Sequence, residues 1–419
     1  MEKLVIYGGE RLHGRVPISG AKNAVLALMP AAILAPGVHR LRNVPRLRDV
    51  WTMMELLDAL GCRCRLEGNE LVLDTSTLQT VHAPQELVRR MRASFYVLGP
   101  LLARYRRAEV PLPGGCAWGP RPVDLHLKGL QALGAELELC DGYVCATAER
   151  LRGTEIVLDF PSVGATGNLL MAASLAHGRT VIRNAAQEPE IVQLGEFLRQ
   201  MGARIRGLGT SVVEVEGVEE LHPASIEVIP DRIEAATFLL AAAITGGEVT
   251  VEPARPEHLE AVLQQLERVG ARLHVKPNCI ELSMEGAPLP SHIVTAPFPG
   301  FPTDVQAQWT ALMLRAPGVS SVTDAIYPDR FKHVPELQRL GAQIELQGNT
   351  AVVTGGRPLR GNRVVSSDLR ASAALILAGL VAEGRTEVLE IHHIDRGYEA
   401  IERKLQQLGA RIERVGVQD

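Results

Sequence analysis

One thiol stands in a segment that neither a helix nor a central strand could accommodate. Pro113-Gly114-Gly115-Cys116-Ala117-Trp118-Gly119-Pro120-Arg121-Pro122-Val123-Asp124 surrounds Cys116 with three glycines and three prolines. Such a stretch is a shaped loop. Arg121, five residues on, is a cation that favours the thiolate, and a thiol tuned in this way can move a proton or attack carbon. Taken alone, the segment reads equally well as a glycine-rich turn with an incidental cysteine.

Six short polar segments give the thiol a chemical context. They are Ser19-Gly20-Ala21-Lys22-Asn23, Arg90-Met91-Arg92-Ala93-Ser94, Ser162-Val163-Gly164-Ala165-Thr166, Asp231-Arg232-Ile233-Glu234, Pro302-Thr303-Asp304 and Asp368-Leu369-Arg370. Each precedes an apolar run of helical length, so each falls where unpaired N–H groups attract phosphate or carboxylate. Ser, Thr and Asp at such points are ordinary N-caps. Lys22, Arg92 and Arg370 are not, because a cation there opposes the helix dipole unless an anionic ligand compensates.

The other cysteines suggest core packing. Cys62 and Cys64 alternate along one strand, and Cys140 and Cys145 flank the Asp141-Gly142 turn, spacings that suit a four-thiolate zinc site poorly. No metalloprotease, Walker A, dinucleotide or serine-hydrolase motif is present, so no metal and no cofactor is expected.

The elements that must position these residues repeat. A Leu-x-x-hydrophobic-Gly phrase ends at Gly61, Gly134, Gly202, Gly270, Gly341 and Gly409, at spacings of 73, 68, 68, 71 and 68 residues. An amphipathic helix precedes each glycine, as with Leu259, Val262, Leu263 and Leu266 opposite Glu260, Gln264 and Glu267. The glycine suits a left-handed C-cap. An alternating strand follows, such as Arg272, His274 and Lys276 against Leu273 and Val275, and turns like Gly68-Asn69 and Gly348-Asn349 lead to a second strand. Earlier in each copy lies a helix apolar nearly all round: Ala24 to Leu34, Leu169 to Ala176, Ile233 to Ile244, Ala371 to Val381. Helices with no polar face must be enclosed, whereas sheets with one wet face must lie outside.

The expected fold is therefore α/β, a two-domain inside-out α/β barrel of six βαβαββ repeats, three per domain. The sixth copy is short of a strand and Lys3 to Tyr7 lacks a copy of its own, so the N-terminal strand should complete the sixth unit. Residues 1–20 and 230–419 then form one domain with both termini, and residues 21–229 form the domain carrying the Cys116 loop, with the active site in the cleft between them.

Composition narrows the partners. The chain has 419 residues, 46% apolar and 22% charged, with a net charge of −4, a globular profile without a basic footprint for nucleic acid or anionic membrane. The start Met1-Glu2-Lys3-Leu4 is unlike a signal peptide, no membrane-spanning run occurs, and six cysteines are too few for a disulfide scaffold. A cytoplasmic setting is expected, with no nucleic-acid, membrane or obligate protein partner.

Together the motifs, from Leu4 to about Val415, resemble the UDP-N-acetylglucosamine 1-carboxyvinyltransferases of the enolpyruvyl transferase superfamily. The match includes Phe-Pro-Thr-Asp-x-Gln-Ala-Gln from Phe301 to Gln308 and Asp-Leu-Arg-Ala from Asp368 to Ala371. The resemblance implies transfer of the enolpyruvyl group of phosphoenolpyruvate to the 3-hydroxyl of UDP-N-acetylglucosamine by addition–elimination, the first committed step of peptidoglycan synthesis. By resemblance Cys116 is the acid at C3, able to form an adduct with phosphoenolpyruvate and open to fosfomycin, and Asp304 is the base that also holds the sugar. Lys22, Asn23, Arg92, Arg121, Asp368, Arg370 and Arg396 match the phosphoenolpyruvate and phosphate region. Arg92, Arg121, Pro122, Val123, Asp124, Leu125, Ser162, Val163, Gly164, Asp304, Ile326 and Arg330 match contacts to the nucleotide sugar. Arg48 stands where Lys is common, Ala236 where Gly is frequent, and Trp118 and Pro120 where smaller aliphatic residues are usual, which bears on loop closure. Two other readings stay open: an enolpyruvyl transferase acting on shikimate 3-phosphate, and a silent nucleotide-sugar-binding paralogue.

Overall fold

The computed structural model describes residues 1–113 and 123–416. The chain divides into two compact units, Met1–Ser19 with Pro230–Asp419, and Gly20–Ile229, each with its own buried apolar cluster.

All six repeat glycines have positive φ, between 92° and 110°. A side chain there would be strained, which is why the phrase keeps glycine at each helix end. The hairpins that follow are as short as expected: Arg63–Glu67 turns through Gly68-Asn69 into Glu70–Asp74, and Gln343–Gln347 through Gly348-Asn349 into Thr350–Gly355.

Among the described residues the strands form six sheets, five with four strands and one with three. The third repeat shows the plan. Glu155–Val157 lies parallel to Arg179–Arg183, joined through the buried helix Val163–Ala173. The amphipathic helix Pro189–Gln200 then leads to the Arg204–Arg206 and Val212–Glu216 hairpin, whose second strand returns antiparallel beside Arg179–Arg183.

Three strands come from elsewhere in the chain. Glu2–Tyr7 inserts between Arg385–Leu389 and Arg411–Gly416, antiparallel to both, and so completes the sixth repeat as its missing strand required. His13–Pro17 pairs in parallel with Glu248–Glu252, and Ser225–Glu227 with Val38–Arg42. The three-stranded sheet belongs to the second repeat, where a single bridge between His82 and Glu109 stands in for the first strand. Pro84 follows two residues later, and its missing N–H ends further pairing.

The apolar helices are enclosed. Every residue of Leu369–Gly379 is buried, as are Ile233 to Thr245 of Arg232–Thr245 and Ala165 to Ala173 of Val163–Ala173. The sheets keep a wet face, though less regularly than the alternation suggests. In Arg272–Val275 the apolar Val275 is itself half exposed, because this strand stands at the edge of its sheet. Cys140 is also exposed, contrary to a core role, since it closes the Glu136–Cys140 strand beside the hairpin turn. Among the described residues, no helix is long and apolar enough to cross a membrane.

Candidate active site

In the unit that contains the N-terminal strand, three buried helices begin with acidic residues in two different roles. Asp231 caps Arg232–Thr245, accepting from the N–H groups of Ile233 and Glu234 at 2.8 and 3.0 Å. Asp368 caps Leu369–Gly379, accepting from Arg370 and Ala371 at 2.9 Å each. For these two the ordinary capping role of an acid at a helix start is what the geometry shows.

Asp304 is different. It lies in the Thr303–Val305 turn ahead of Gln306–Met313 and caps nothing. One carboxylate oxygen sits 2.8 Å from Nη1 of Arg330 and the other 3.5 Å from Nη2 of Arg370. The two guanidinium side chains are only 8% and 4% exposed, whereas the carboxylate between them is 25% exposed. A quarter-open acid backed by two buried cations can meet a ligand on its open side. Burial opposes the charge of Arg370, but Asp304, Tyr398 and Asp231 outweigh burial and hold the guanidinium firmly protonated. Its Nη1 has no hydrogen-bond partner among the described residues, which leaves a buried donor for an anion.

Neutral side chains fix this cluster. Gln308 donates to the Asp304 carbonyl at 2.8 Å and reaches Thr237 Oγ1 and Tyr398 Oη at 3.2 and 3.3 Å. The Tyr398 hydroxyl meets Thr237 at 2.7 Å, and its ring lies 5.5 Å from the Arg370 guanidinium carbon. The fully buried Asp324 carboxylate accepts from Thr295, Thr303, Gln306 and the N–H groups of Ile326 and Tyr327, at 2.7 to 3.2 Å. It thereby ties the loop of Ile326 to the turn of Asp304. Arg396 ends the Ile391–Arg396 turn, where its charge and that of Asp368 both act on His393.

In the other unit, Lys22 and Asn23 open the helix Lys22–Ala31, and the Lys22 ammonium pairs with Asp49 at 3.0 Å. Asp49, in the first turn of Arg48–Ala59, supplies part of the compensation that sequence reasoning left wholly to a ligand. Arg92 opens the turn Arg92–Val97. Val123, Asp124 and Leu125 begin the helix Asp124–Ala132, with Asp124 exposed. Ser162 caps Val163–Ala173, accepting from Ala165 N–H at 3.1 Å, and Val163 and Gly164 are half-buried in its first turn. Cys116, Arg121 and Pro122 lie outside the described residues.

The structure thus gathers Asp304, Arg330, Arg370 and Asp368 in one unit, with Ile326 attached through Asp324. Asp49, Asp324, Gln308, Thr237, Tyr398, His126 and His333 escaped the sequence reading. Only Gln308 carried a signal, as the residue that closes the Phe301 to Gln308 motif in the first turn of the helix Gln306–Met313.

Two buried histidines make both units sensitive to acid. Burial, reinforced by Arg92, pushes His126 down to about 3. Burial pushes His333 down to about 4, with Arg330 acting in the same direction and Asp368 and Asp324 opposing. Each folded value lies below the unfolded value near 6.5, so the unfolded chain binds more protons and stability falls as pH falls from about 6.5 towards 4. Between pH 7 and 5 the loss is on the order of 2 kcal/mol for each histidine. Glu234, pushed up by burial, acts in the opposite sense. Thermal midpoints should drop across this interval, and His333→Gln should flatten the dependence; a midpoint that rises on acidification would contradict the burial of both rings.

Comparison with known proteins agrees with this architecture. Residues 6–405 match the family model described as EPSP synthase (3-phosphoshikimate 1-carboxyvinyltransferase). A UDP-N-acetylglucosamine 1-carboxyvinyltransferase of Chloroherpeton thalassium is 53% identical over 417 residues, covering 99% of this chain and 97% of that one. A UDP-N-acetylglucosamine 1-carboxyvinyltransferase 2 of Carboxydothermus hydrogenoformans is also 53% identical, covering 99% and 100%. Among solved structures, the enolpyruvyl transferase NikO from Streptomyces tendae superimposes with a TM-score of 0.90 at 27% identity, covering 100% of this chain and 99% of that one. EPSP synthase from Acinetobacter baumannii does so at 0.75 with 19% identity, covering 99% and 100%, a likeness of fold.

Proposed function

Because the chain belongs to the EPSP synthase family of carboxyvinyltransferases, we propose that it transfers the carboxyvinyl group of phosphoenolpyruvate to the 3-hydroxyl of UDP-N-acetylglucosamine and releases phosphate. The observation that carries the choice of acceptor is 53% identity, over 99% of the chain, to relatives named for that sugar.

The chemistry required fits the residues at hand. A proton must reach C3 of phosphoenolpyruvate while the sugar oxygen bonds to C2; the ketal then loses a C3 proton as its C2–phosphate oxygen bond breaks. Asp304, open to a ligand on one side, takes the hydroxyl proton, and Cys116 supplies the proton to C3. Charge on phosphate and carboxylate is met by Lys22, Arg92, Arg121, Arg370 and Arg396, with Asn23 and Asp368 supporting them. The nucleotide sugar is held by Arg92, Arg121 to Leu125, Ser162 to Gly164, Asp304, Ile326 and Arg330. The setting is the cytoplasm, where the thiols of the described cysteines stay reduced, and the product feeds peptidoglycan synthesis.

Phosphate release from phosphoenolpyruvate, followed with each acceptor separately, tests the proposal. Release with UDP-N-acetylglucosamine should exceed release with shikimate 3-phosphate at least a thousandfold, since a site built around one polar ligand rejects another strongly. Equal release with both acceptors, or none with either, overturns it.

A further inference from the structure

Arg396 stands on a segment that is fastened on both sides. Before it, the Asp395 carboxylate binds the Arg414 guanidinium through both oxygens, at 2.9 Å to Nη1 and 2.6 Å to Nη2. A two-pronged pair of this kind fixes direction as well as distance. After it, Glu399 accepts from the Ser19 hydroxyl at 2.7 Å. The Lys404 ammonium donates to the same hydroxyl at 2.8 Å and to the buried Glu234 at 2.6 Å. Between these anchors the backbone rests on the helix that carries Arg370: a Cβ built on Gly397 would meet Cδ2 of Leu369 at 2.5 Å.

Arg414 lies on the strand Arg411–Gly416, opposite Leu4 of the N-terminal strand. Its Nε also meets Glu402 at 3.1 Å and its Nη1 meets Glu2 at 2.9 Å, so one cation holds three carboxylates together. Those acids, Asp395 foremost, keep the guanidinium protonated despite its partial burial. Without the cation they would repel one another at close range. Glu2 is fixed on a strand paired along both edges, and Glu402 on the helix Ile401–Gln407. Asp395, on a short turn, is the acid that can give way, and Arg396 is the next residue.

We propose that Arg414 is a positioning residue for phosphoenolpyruvate: through Asp395 it sets where Arg396 stands against the anionic substrate. The inference rests on the function proposed above, in which Arg396 meets charge on that substrate. It adds a residue that acts on the ligand only through another.

Steady-state kinetics on the full chain test it, comparing wild type with Arg414→Ala, Arg414→Lys, Asp395→Ala and Glu402→Gln, each below its thermal midpoint. Arg414→Ala and Asp395→Ala should each lower kcat/KM for phosphoenolpyruvate about tenfold to a hundredfold, the loss that a displacement near 1 Å brings. The loss should lie chiefly in KM, with the KM for UDP-N-acetylglucosamine within about twofold. Arg414→Lys, which keeps the charge but not the fork, should recover part of it. Glu402→Gln removes a partner of Arg414 that the turn does not carry, so it should lower the thermal midpoint and leave both KM values within about twofold. Should Arg414→Ala fail to fold, Asp395→Ala decides, because it leaves Arg414 paired with Glu2 and Glu402. An unchanged KM for phosphoenolpyruvate in Asp395→Ala, an equal rise for both substrates, or the same rise in Glu402→Gln overturns the inference and leaves the proposed function standing. A wild type that turns over phosphoenolpyruvate with neither acceptor overturns the proposed function, and the inference with it.

Discussion

Replacing Asp304 with Asn should lower kcat by about a thousandfold, the middle of the range for losing a positioned general base. The substitution preserves shape and removes only charge and basicity. Its second effect is on the fold, because Arg330 and Arg370 lose the carboxylate they share at 2.8 and 3.5 Å. Removing one partner of a fully buried pair costs about 3–5 kcal/mol; Asp304 is a quarter exposed, so roughly 2–3 kcal/mol is expected here. Rates must therefore be taken well below the thermal midpoint of the variant. A variant that loses stability but retains full turnover would show that Asp304 only braces the two arginines.

The second large effect is expected at Cys116. Cys116→Ala should lower kcat by about 100- to 10,000-fold through loss of the acid at C3. Treatment of the wild type with the epoxide fosfomycin should leave one label, on Cys116, and the alanine variant should take up none. Retention of near-wild-type turnover, or a label mapped to another of the six thiols, would remove this residue from the mechanism.

The two residues differ in how they could be read from sequence, as does the rest of the fold. The repeat was legible because its glycine must adopt positive φ, between 92° and 110° in all six copies, a demand each copy writes into its own sequence. The caps at Ser162, Asp231 and Asp368 were legible for the same reason, since each acts on N–H groups two or three residues away. What escaped depends on distant pairings. Nothing near Lys22 announces Asp49, and nothing near Arg370 announces Asp304, 66 residues earlier. The Asp324 hub draws donors from Thr295 through Tyr327, so only the closed fold shows that it joins two loops. Cys140 shows the reverse error: its place beside the hairpin turn suggests core packing, but it shares the face of Glu136 and Glu138 on an edge strand and is exposed.

The most direct test of the central claim is a single reaction in heavy water with phosphoenolpyruvate, UDP-N-acetylglucosamine and shikimate 3-phosphate together. Mass spectrometry of the products should find the carboxyvinyl group on the nucleotide sugar alone, with solvent deuterium in its methylene carbon from protonation at C3. A carboxyvinyl group on the shikimate, or a nucleotide-sugar product free of deuterium, would contradict the acceptor or the addition–elimination route respectively.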